Sequence, residues 1–404
     1  MGAVAEAERI GNRMDTRGPN GGIYMDYQAT TPADPRVVEA MQPYWSTMYG
    51  NPHSADHAFG WSADAAVETA RGQVAALIGA DPDEIVFTSG ATEANNLAVL
   101  GIARASPPTR QRIVVSAVEH KCVLAAARAA AEEGFKVITV PVGADGLVDP
   151  RAVAGVVDER VALVSIMAVN NEIGTVQPLL EIAELCAAAG AIFHTDAAQA
   201  LNAFPLDVAT LGVGLMSLSA HKAYGPKGIG ALYVRRDLHV RPKPIIHGGG
   251  QEGGLRSGTL PTPLCVGFGE ACRILADERD GDAERIRMLR DRFLVELLKT
   301  VPWLKLNGDQ ASRHPGNLNL LFPSIDASLL LQNLHPHVAA STGSACTSGQ
   351  PEPSHVLRAI GLSAEDANAS IRFSVGRFTT KDEVDRAASH VGEVCKLLSA
   401  VRQQ

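Results

Sequence analysis

Little in this chain supports a disulfide framework, a structural metal site or a membrane span. Its 404 residues hold only six cysteines (Cys122, Cys186, Cys265, Cys272, Cys346 and Cys395), and no two of them form a Cys-x-x-Cys pair. Such spacing excludes a stapled secreted domain and a structural zinc site. No stretch is apolar for long enough to cross a bilayer, and the N-terminus lacks a signal-peptide apolar segment, so the chain is expected in the cytoplasm. Positive charge is not in excess either. A net charge of −8 argues against nucleic acid as the main partner. There is no internal repeat, and Gly225-Pro226-Lys227-Gly228-Ile229-Gly230 fits neither the P-loop nor the dinucleotide pattern.

What is present is a core. Hydrophobic residues make up 46% of the chain, enough for one large and one smaller domain. Residues 1–22 carry no periodicity and read as a disordered tail. From about Asp34 to Asp277, apolar runs of strand length (Ile85–Thr88, Arg112–Ser116, Val137–Val140, Val161–Met167, Ile192–Thr195, Leu215–Ser219, Gly230–Val234) alternate with helical patterns such as Pro150–Val157 and Leu179–Ala189. Alternation of this kind predicts crossover units and a mostly parallel, doubly wound α/β sheet with ligands at the strands' carboxyl ends. A charged helix is expected over Asp282–Leu298. Beyond it, Asn317–Leu321, Leu329–Leu334, Ile371–Ser374 and a helix Lys381–Val401 read as a small α+β unit. The expected division is 23–280 for the large domain and 281–404 for the small one, with the first ten or so residues of the former packing on the latter.

Chemistry-bearing residues fall at those strand ends. The run Ala191-Ile192-Phe193 leads into His194-Thr195-Asp196, and the next run, Gly214–Ser219, leads into Ala220-His221-Lys222. An acid and a lysine so placed suit a pyridine cofactor, the Asp on the ring nitrogen and the Lys on the aldehyde. Two solvated strand ends would look the same. Ser89-Gly90-Ala91-Thr92 opens a helix after a buried strand, an arrangement that binds phosphate or simply caps the helix. Glu119-His120 ends another strand, where an imidazole serves as a proton shuttle or as a structural group. Five cysteines have apolar or helical neighbours and read as core residues. Cys346 differs, because Ser341-Thr342-Gly343-Ser344-Ala345-Cys346-Thr347-Ser348-Gly349 cannot build a core and predicts an exposed loop bearing a nucleophile.

Taken together, Thr88-Ser89-Gly90-Ala91-Thr92-Glu93, Glu119-His120, Val169-Asn170-Asn171-Glu172-Ile173-Gly174, Asp196-x-x-Gln199, His221-Lys222-x-Tyr224-Gly225-Pro226-Lys227-Gly228, Arg256-Ser257-Gly258-Thr259 and Ser344-Ala345-Cys346-Thr347-Ser348 resemble, in order and spacing, the cysteine desulfurases. The resemblance runs from Tyr24 to about Val401. These are fold-type I pyridoxal phosphate enzymes of the class V aminotransferase group. The Cys346 loop resembles that of their long-loop branch, which includes housekeeping and nitrogen-fixation members.

The resemblance implies roles. Lys222 would hold the cofactor covalently and move the substrate's Cα proton, Asp196 would pair with the ring nitrogen, Gln199 would donate to the phenolic oxygen, and His120 would stack on the ring as acid and base. Ala91 (through its backbone), Thr92, Ser219 and His221 would hold the phosphate. Asn171 and Arg372 would clamp the substrate carboxylate, with Asn171 also touching the cofactor. Thr259 would reach the phosphate of a neighbouring subunit, which implies a homodimer. Cys346 would take sulfur from L-cysteine as a persulfide, leave alanine, and deliver the sulfur to an acceptor protein such as an iron-sulfur scaffold, or to tRNA thiolation or DNA phosphorothioation. It implies no permanent metal, only Cys346 as a transient iron-sulfur ligand. Other readings are a selenocysteine lyase or aminotransferase of the same class, or a dimeric scaffold without catalysis. Three features depart from the pattern: Gln251-Glu252-Gly253-Gly254 lacks a basic residue common there, Ala220 replaces a usual Ser or Gly, and no long extension follows the last helix.

Overall fold

The structure is a computed structural model that describes residues 21–343 and 353–401. The tail expected over residues 1–22 therefore lies, but for Gly21 and Gly22, outside the described residues, and so does Cys346. In chain order the strands are β1 (Ile23–Tyr24), β2 (Ile85–Thr88), β3 (Arg112–Ser116), β4 (Lys136–Val140), β5 (Val161–Ser165), β6 (Ile192–Asp196), β7 (Leu215–Ser219), β8 (Gly230–Val234), β9 (Lys305–Leu306), β10 (Asn317–Leu321), β11 (Val338–Ala339) and β12 (Ser370–Ser374). Seven of them form one sheet in the order β2-β8-β7-β6-β5-β3-β4. Within it β8 runs against both neighbours, and every other pairing is parallel.

The central strands β5, β6, β7 and β8 are buried at every position. Helices cover both faces, so both sides of each strand must be apolar. The two-residue period then sorts the side chains. Leu163, Ile192, Leu215 and Leu232 join Leu97 and Ile102 of the helix Ala91–Ala105 in one core, while Val164, Phe193, Met216 and Ala231 join Val74 and Phe268 in the other. His194 is the first polar residue on β6. Its Nδ1 lies 2.8 Å from Ser165 Oγ on β5, and its Nε2 lies 2.9 Å from Ser217 Oγ on β7. Burial pushes this imidazole down to about 3, so it stays neutral and ties three strands together just before Asp196.

The C-terminal part forms a second core. β10 pairs antiparallel with β9 and β12, and Leu318, Leu320 and Phe373 pack with Phe293 and Val391. Ile23 and Met25 enter this same core, with β1 parallel to β11. Two expectations need correction. The charged helix over Asp282–Leu298 is the second half of one continuous helix, Thr262–Thr300. Its first half is apolar and buried at Cys265, Phe268, Cys272 and Leu275 because it packs under the sheet, so the pattern changes where the surroundings change while the backbone continues unbroken. The segment Leu329–Leu334 belongs to a helix, Ala327–Leu334, which starts where the Asp326 carboxylate accepts the Leu329 N–H at 2.9 Å.

Candidate active site

At the carboxyl ends of β2, β3, β5, β6 and β7 the sheet opens into a cavity of about 860 Å³. Its walls bring together Ala91, Thr92, His120, Asn171, Asp196, Gln199, Ser219, His221, Lys222 and Arg372, residues drawn from six separate stretches of the chain. Thr259 is not among them and is exposed on its loop.

Asp196 ends β6. Its Oδ2 accepts from Asn95 Nδ2 at 2.7 Å and its Oδ1 from the Ala198 N–H at 3.0 Å, so the carboxylate plane is held from two sides. Lys222 lies in the turn after β7, and its Nζ donates to the carbonyls of Gln28 (2.5 Å) and Ala29 (2.8 Å). Burial, with the Arg372 charge nearby, pulls this amine down to about 8, against the partial restoring pull of Asp26 and Asp196. The turn is strained. Tyr224, two residues on, is held at a φ of 60°, buried, with its hydroxyl accepting the Arg377 N–H at 2.8 Å and the Arg377 guanidinium 4.5 Å over its ring. The segment Asp26–Asp34 straps the turn from above: the Thr31 N–H donates to the His221 carbonyl and the Asp34 N–H to that of Tyr224, each at 2.9 Å.

At the other end of the cavity the helix Ala91–Ala105 begins at Gly90. Its φ of 144° is open to glycine alone, and no atom lies within 4 Å of where a Cβ would project. A Cβ on Gly230 of β8 would sit 2.7 Å from Gly90 Cα, so two glycines let the helix start meet the sheet. The first-turn N–H groups of Ala91 and Thr92 lack intrahelical acceptors by geometry, and Ser219, His221 and Lys227 face them across the cavity. His221 Nδ1 lies 3.1 Å from Thr30 Oγ1, and burial with Lys222 beside it pushes the imidazole down to about 4. Glu93 brings a negative charge to this end, but Arg256 neutralises it at 2.9 Å.

Arg372, on β12, reaches in from the second core. Its Nη2 donates to Asp26 Oδ1 (2.7 Å) and Ser341 Oγ (3.1 Å), its Nη1 donates to the Asn171 carbonyl (2.6 Å), and its Nε is buried without a partner among the described residues. The neighbouring Asn170 is structural: its Oδ1 accepts the N–H groups of Glu172 and Ile173, leaving Asn171 to face the cavity. His120 is the N-cap of the helix Lys121–Glu132, its Nδ1 accepting the Cys122 N–H at 3.2 Å. Cys122 corrects an expectation. It was grouped with the core cysteines, as Cys186, Cys265, Cys272 and Cys395 indeed are, yet it is half-buried and lines the cavity with its Sγ 2.9 Å from His120 Nδ1. Sequence reasoning also missed Asp26, Gln28, Glu172, Ser341 and His355, all on the cavity wall. Glu172 and Ser341 had a local signal, the first in the Asn170-Asn171-Glu172 run and the second in the stretch that leads to Cys346. The departure at Glu252 is also explained, since its carboxylate pairs with Arg71 (2.8 Å) and accepts the Phe87 N–H (2.6 Å), locking the glycine loop onto β2.

The arrangement fits pyridoxal phosphate. A held carboxylate, a lysine with a lowered pKa and an open helix N-terminus facing histidine and lysine meet the ring nitrogen, the aldehyde and the phosphate in one cavity. A family model described as aminotransferase class-V matches residues 23–387. A cysteine desulfurase IscS of Rickettsia typhi (strain ATCC VR-144 / Wilmington) is 50% identical over 381 residues, which cover 94% of this chain and 92% of that one. The chain belongs to the cysteine desulfurases. Among solved structures, a NifS-like protein superposes with a TM-score of 0.87 at 35% identity, covering 93% of this chain and all of the other. Another, SspA in complex with cysteine, superposes with a TM-score of 0.79 at 37% identity over 89% of this chain and 100% of that one. The fold is that of the class V aminotransferases, and the desulfurase cofactor is pyridoxal phosphate.

Proposed function

We propose that this chain takes the sulfur of L-cysteine, releases L-alanine, and keeps the sulfur as a persulfide on Cys346 until an acceptor removes it. The observation that carries this reading is the convergence of the Lys222 amine, the Asp196 carboxylate and the Arg372 guanidinium on one cavity. Pyridoxal phosphate, when bound, supplies an electron sink next to the substrate's Cα. Lys222 Nζ would hold the cofactor, and as an amine with a pKa near 8 it would take and return the Cα proton close to neutrality. Asp196 keeps a proton on the ring nitrogen. Gln199, whose Nε2 donates to the Gln28 carbonyl at 2.9 Å, would offer that donor to the phenolic oxygen. Ala91, Thr92, Ser219 and His221 hold the phosphate, and Arg372 with Asn171 orients the substrate carboxylate. His120, on the cavity wall, would hold and give a proton through Nε2. Cys346 attacks the substrate sulfur: the Cβ–S bond breaks, an S–S bond forms, and L-cysteine plus a thiol becomes L-alanine plus a persulfide without an outside oxidant.

The acceptor in this reading is a protein, an iron-sulfur scaffold being the kind that suits an IscS-like enzyme, and the setting is the cytoplasm. Among the described residues no helix is long and apolar enough to cross a membrane. The working unit is a homodimer. Thr259 stands exposed away from its own cavity, and Trp45, Tyr49, Phe59 and Trp61 are each more than half exposed, aromatic area that a second copy would cover. The test of the reading is Cys346→Ser. This variant keeps its visible absorption and still binds L-cysteine, yet releases almost no sulfide in the presence of a reductant. Wild-type turnover in it would overturn the assignment.

A further inference from the structure

Behind the cavity wall a short polar chain links Asp196 to His120. Asn95 is fully buried, and its Nδ2 lies 2.7 Å from Asp196 Oδ2 and 3.2 Å from Cys122 Sγ. Its direction is set at the Asp196 end. A carboxylate only accepts, so the amide must present N–H there, and the Asn95 oxygen is left buried and unpartnered among the described residues. The amide's second hydrogen then points at the sulfur. His120 Nδ1 lies 2.9 Å from this sulfur, and because Nδ1 accepts the Cys122 backbone N–H it carries no hydrogen of its own, so the sulfur meets it with its S–H. Burial, then the Asp196 charge, pushes this thiol up to about 12, so it keeps that hydrogen. The same Nδ1 already accepts the Cys122 backbone N–H. Every neighbour of Nδ1 is therefore a donor.

We propose that Cys122 is a positioning residue which, at the end of a one-way chain Asn95→Cys122→His120, holds His120 as the neutral tautomer with its only N–H on Nε2, toward the cavity. The inference rests on the acid–base role given to His120 above. A proton arriving at Nδ1 would have to displace two donors, so the chain opposes the imidazolium form. The charged and titratable groups facing the ring are consistent with this balance. Lys222 from the turn after β7, His355 from the helix His355–Ala359 and Lys121 on the ring's own helix disfavour the cation, Asp196 favours it, and burial lowers the ring's pKa more than any of them. Buried Glu119 precedes it in the chain.

The experiment uses the holoenzyme with ring-15N histidine. The chain has 12 histidines, and the His120 signal is the one missing from His120→Gln. Wild type and Cys122→Ser, which keeps a donor, show His120 with Nε2 protonated and Nδ1 bare through neutral pH. In Cys122→Ala, and in Cys122→Val where no cavity is left, protonation at Nδ1 and the acid limb of kcat/KM for L-cysteine both move up by about half to one pH unit, the effect of one lost neutral hydrogen bond. A shift in Ala and Val with recovery in Ser supports the chain. An unmoved His120 titration in Ala and Val, or a Ser variant shifted as far as Ala, overturns it. If His120→Gln retains the wild-type acid limb, the acid–base role itself fails, while the NMR titration still decides the chain.

Discussion

The amine of Lys222 offers the sharpest physical test of this site. An ordinary lysine has a value of 10.5, whereas burial and the Arg372 charge bring this one to about 8. At pH 7.5 roughly a quarter of it is then free amine, compared with about one part in a thousand for an exposed lysine, an advantage of about two-hundredfold in nucleophile concentration. Competitive acetylation of the cofactor-free protein measures this directly. Trace acetic anhydride is applied from pH 6 to 11, and the label on each lysine is read by peptide mapping. Lys222 should show a midpoint near 8, well below that of the pooled exposed lysines. Arg372→Met, which removes the second cause, should move the Lys222 midpoint toward the ordinary value. The same shift acts on stability. Between about pH 8 and 10.5 the unfolded chain binds a proton that the folded chain does not, so this residue's own contribution makes the fold more stable as pH rises through that window. A Lys222 midpoint at or above that of the surface lysines would refute the reasoning, because the cavity would then be neither dry nor electropositive at Nζ.

Arg372→Lys retains the charge but loses the planar fork, so KM for L-cysteine should rise and kcat/KM fall roughly ten- to a hundredfold, the worth of one charge-assisted pair. An unchanged KM with an earlier melt would leave Arg372 a structural partner of Asp26. Gly90→Ala has room for its methyl but not the backbone conformation, so it should cost about 1–3 kcal/mol of stability and weaken cofactor retention, checked by denaturant titration and by visible absorbance after dialysis. Asp326→Ala removes the cap of the helix Ala327–Leu334 and should cost about 1 kcal/mol with the cofactor spectrum untouched; a spectral change would mean that the C-terminal core and the cavity are less separate than they look.

Local pattern alone was enough for much of this molecule. Runs such as Val161–Ser165 and Leu215–Ser219 are apolar at every position because both sheet faces are covered, and that signal survives without any knowledge of neighbours. Strand-end polar residues announced themselves in the same way. Asp196, Lys222 and His120 each break an apolar run where the chain leaves the sheet, and all of them line the cavity. The continuous helix Thr262–Thr300 was only half legible, because its two halves face different surroundings and periodicity reports surroundings.

What the sequence determined by itself is the set of groups: one lysine, one acid, one glycine-led helix start and one loop cysteine, each marked by a clash between its own polarity and that of its neighbours. Tertiary structure decided which groups meet. Asp26 and Arg372 stand 346 residues apart and bond at 2.7 Å only because the chain's first strand is packed into its last core. Cys122 looked like one more buried thiol, and became a neighbour of His120 and Asn95 only when a helix cap and a second helix closed on the end of β6. Local preferences extend over a few residues, whereas the pKa of Lys222 and the direction of a buried hydrogen-bond chain depend on every charge and donor within a few ångströms, whatever its place in the chain.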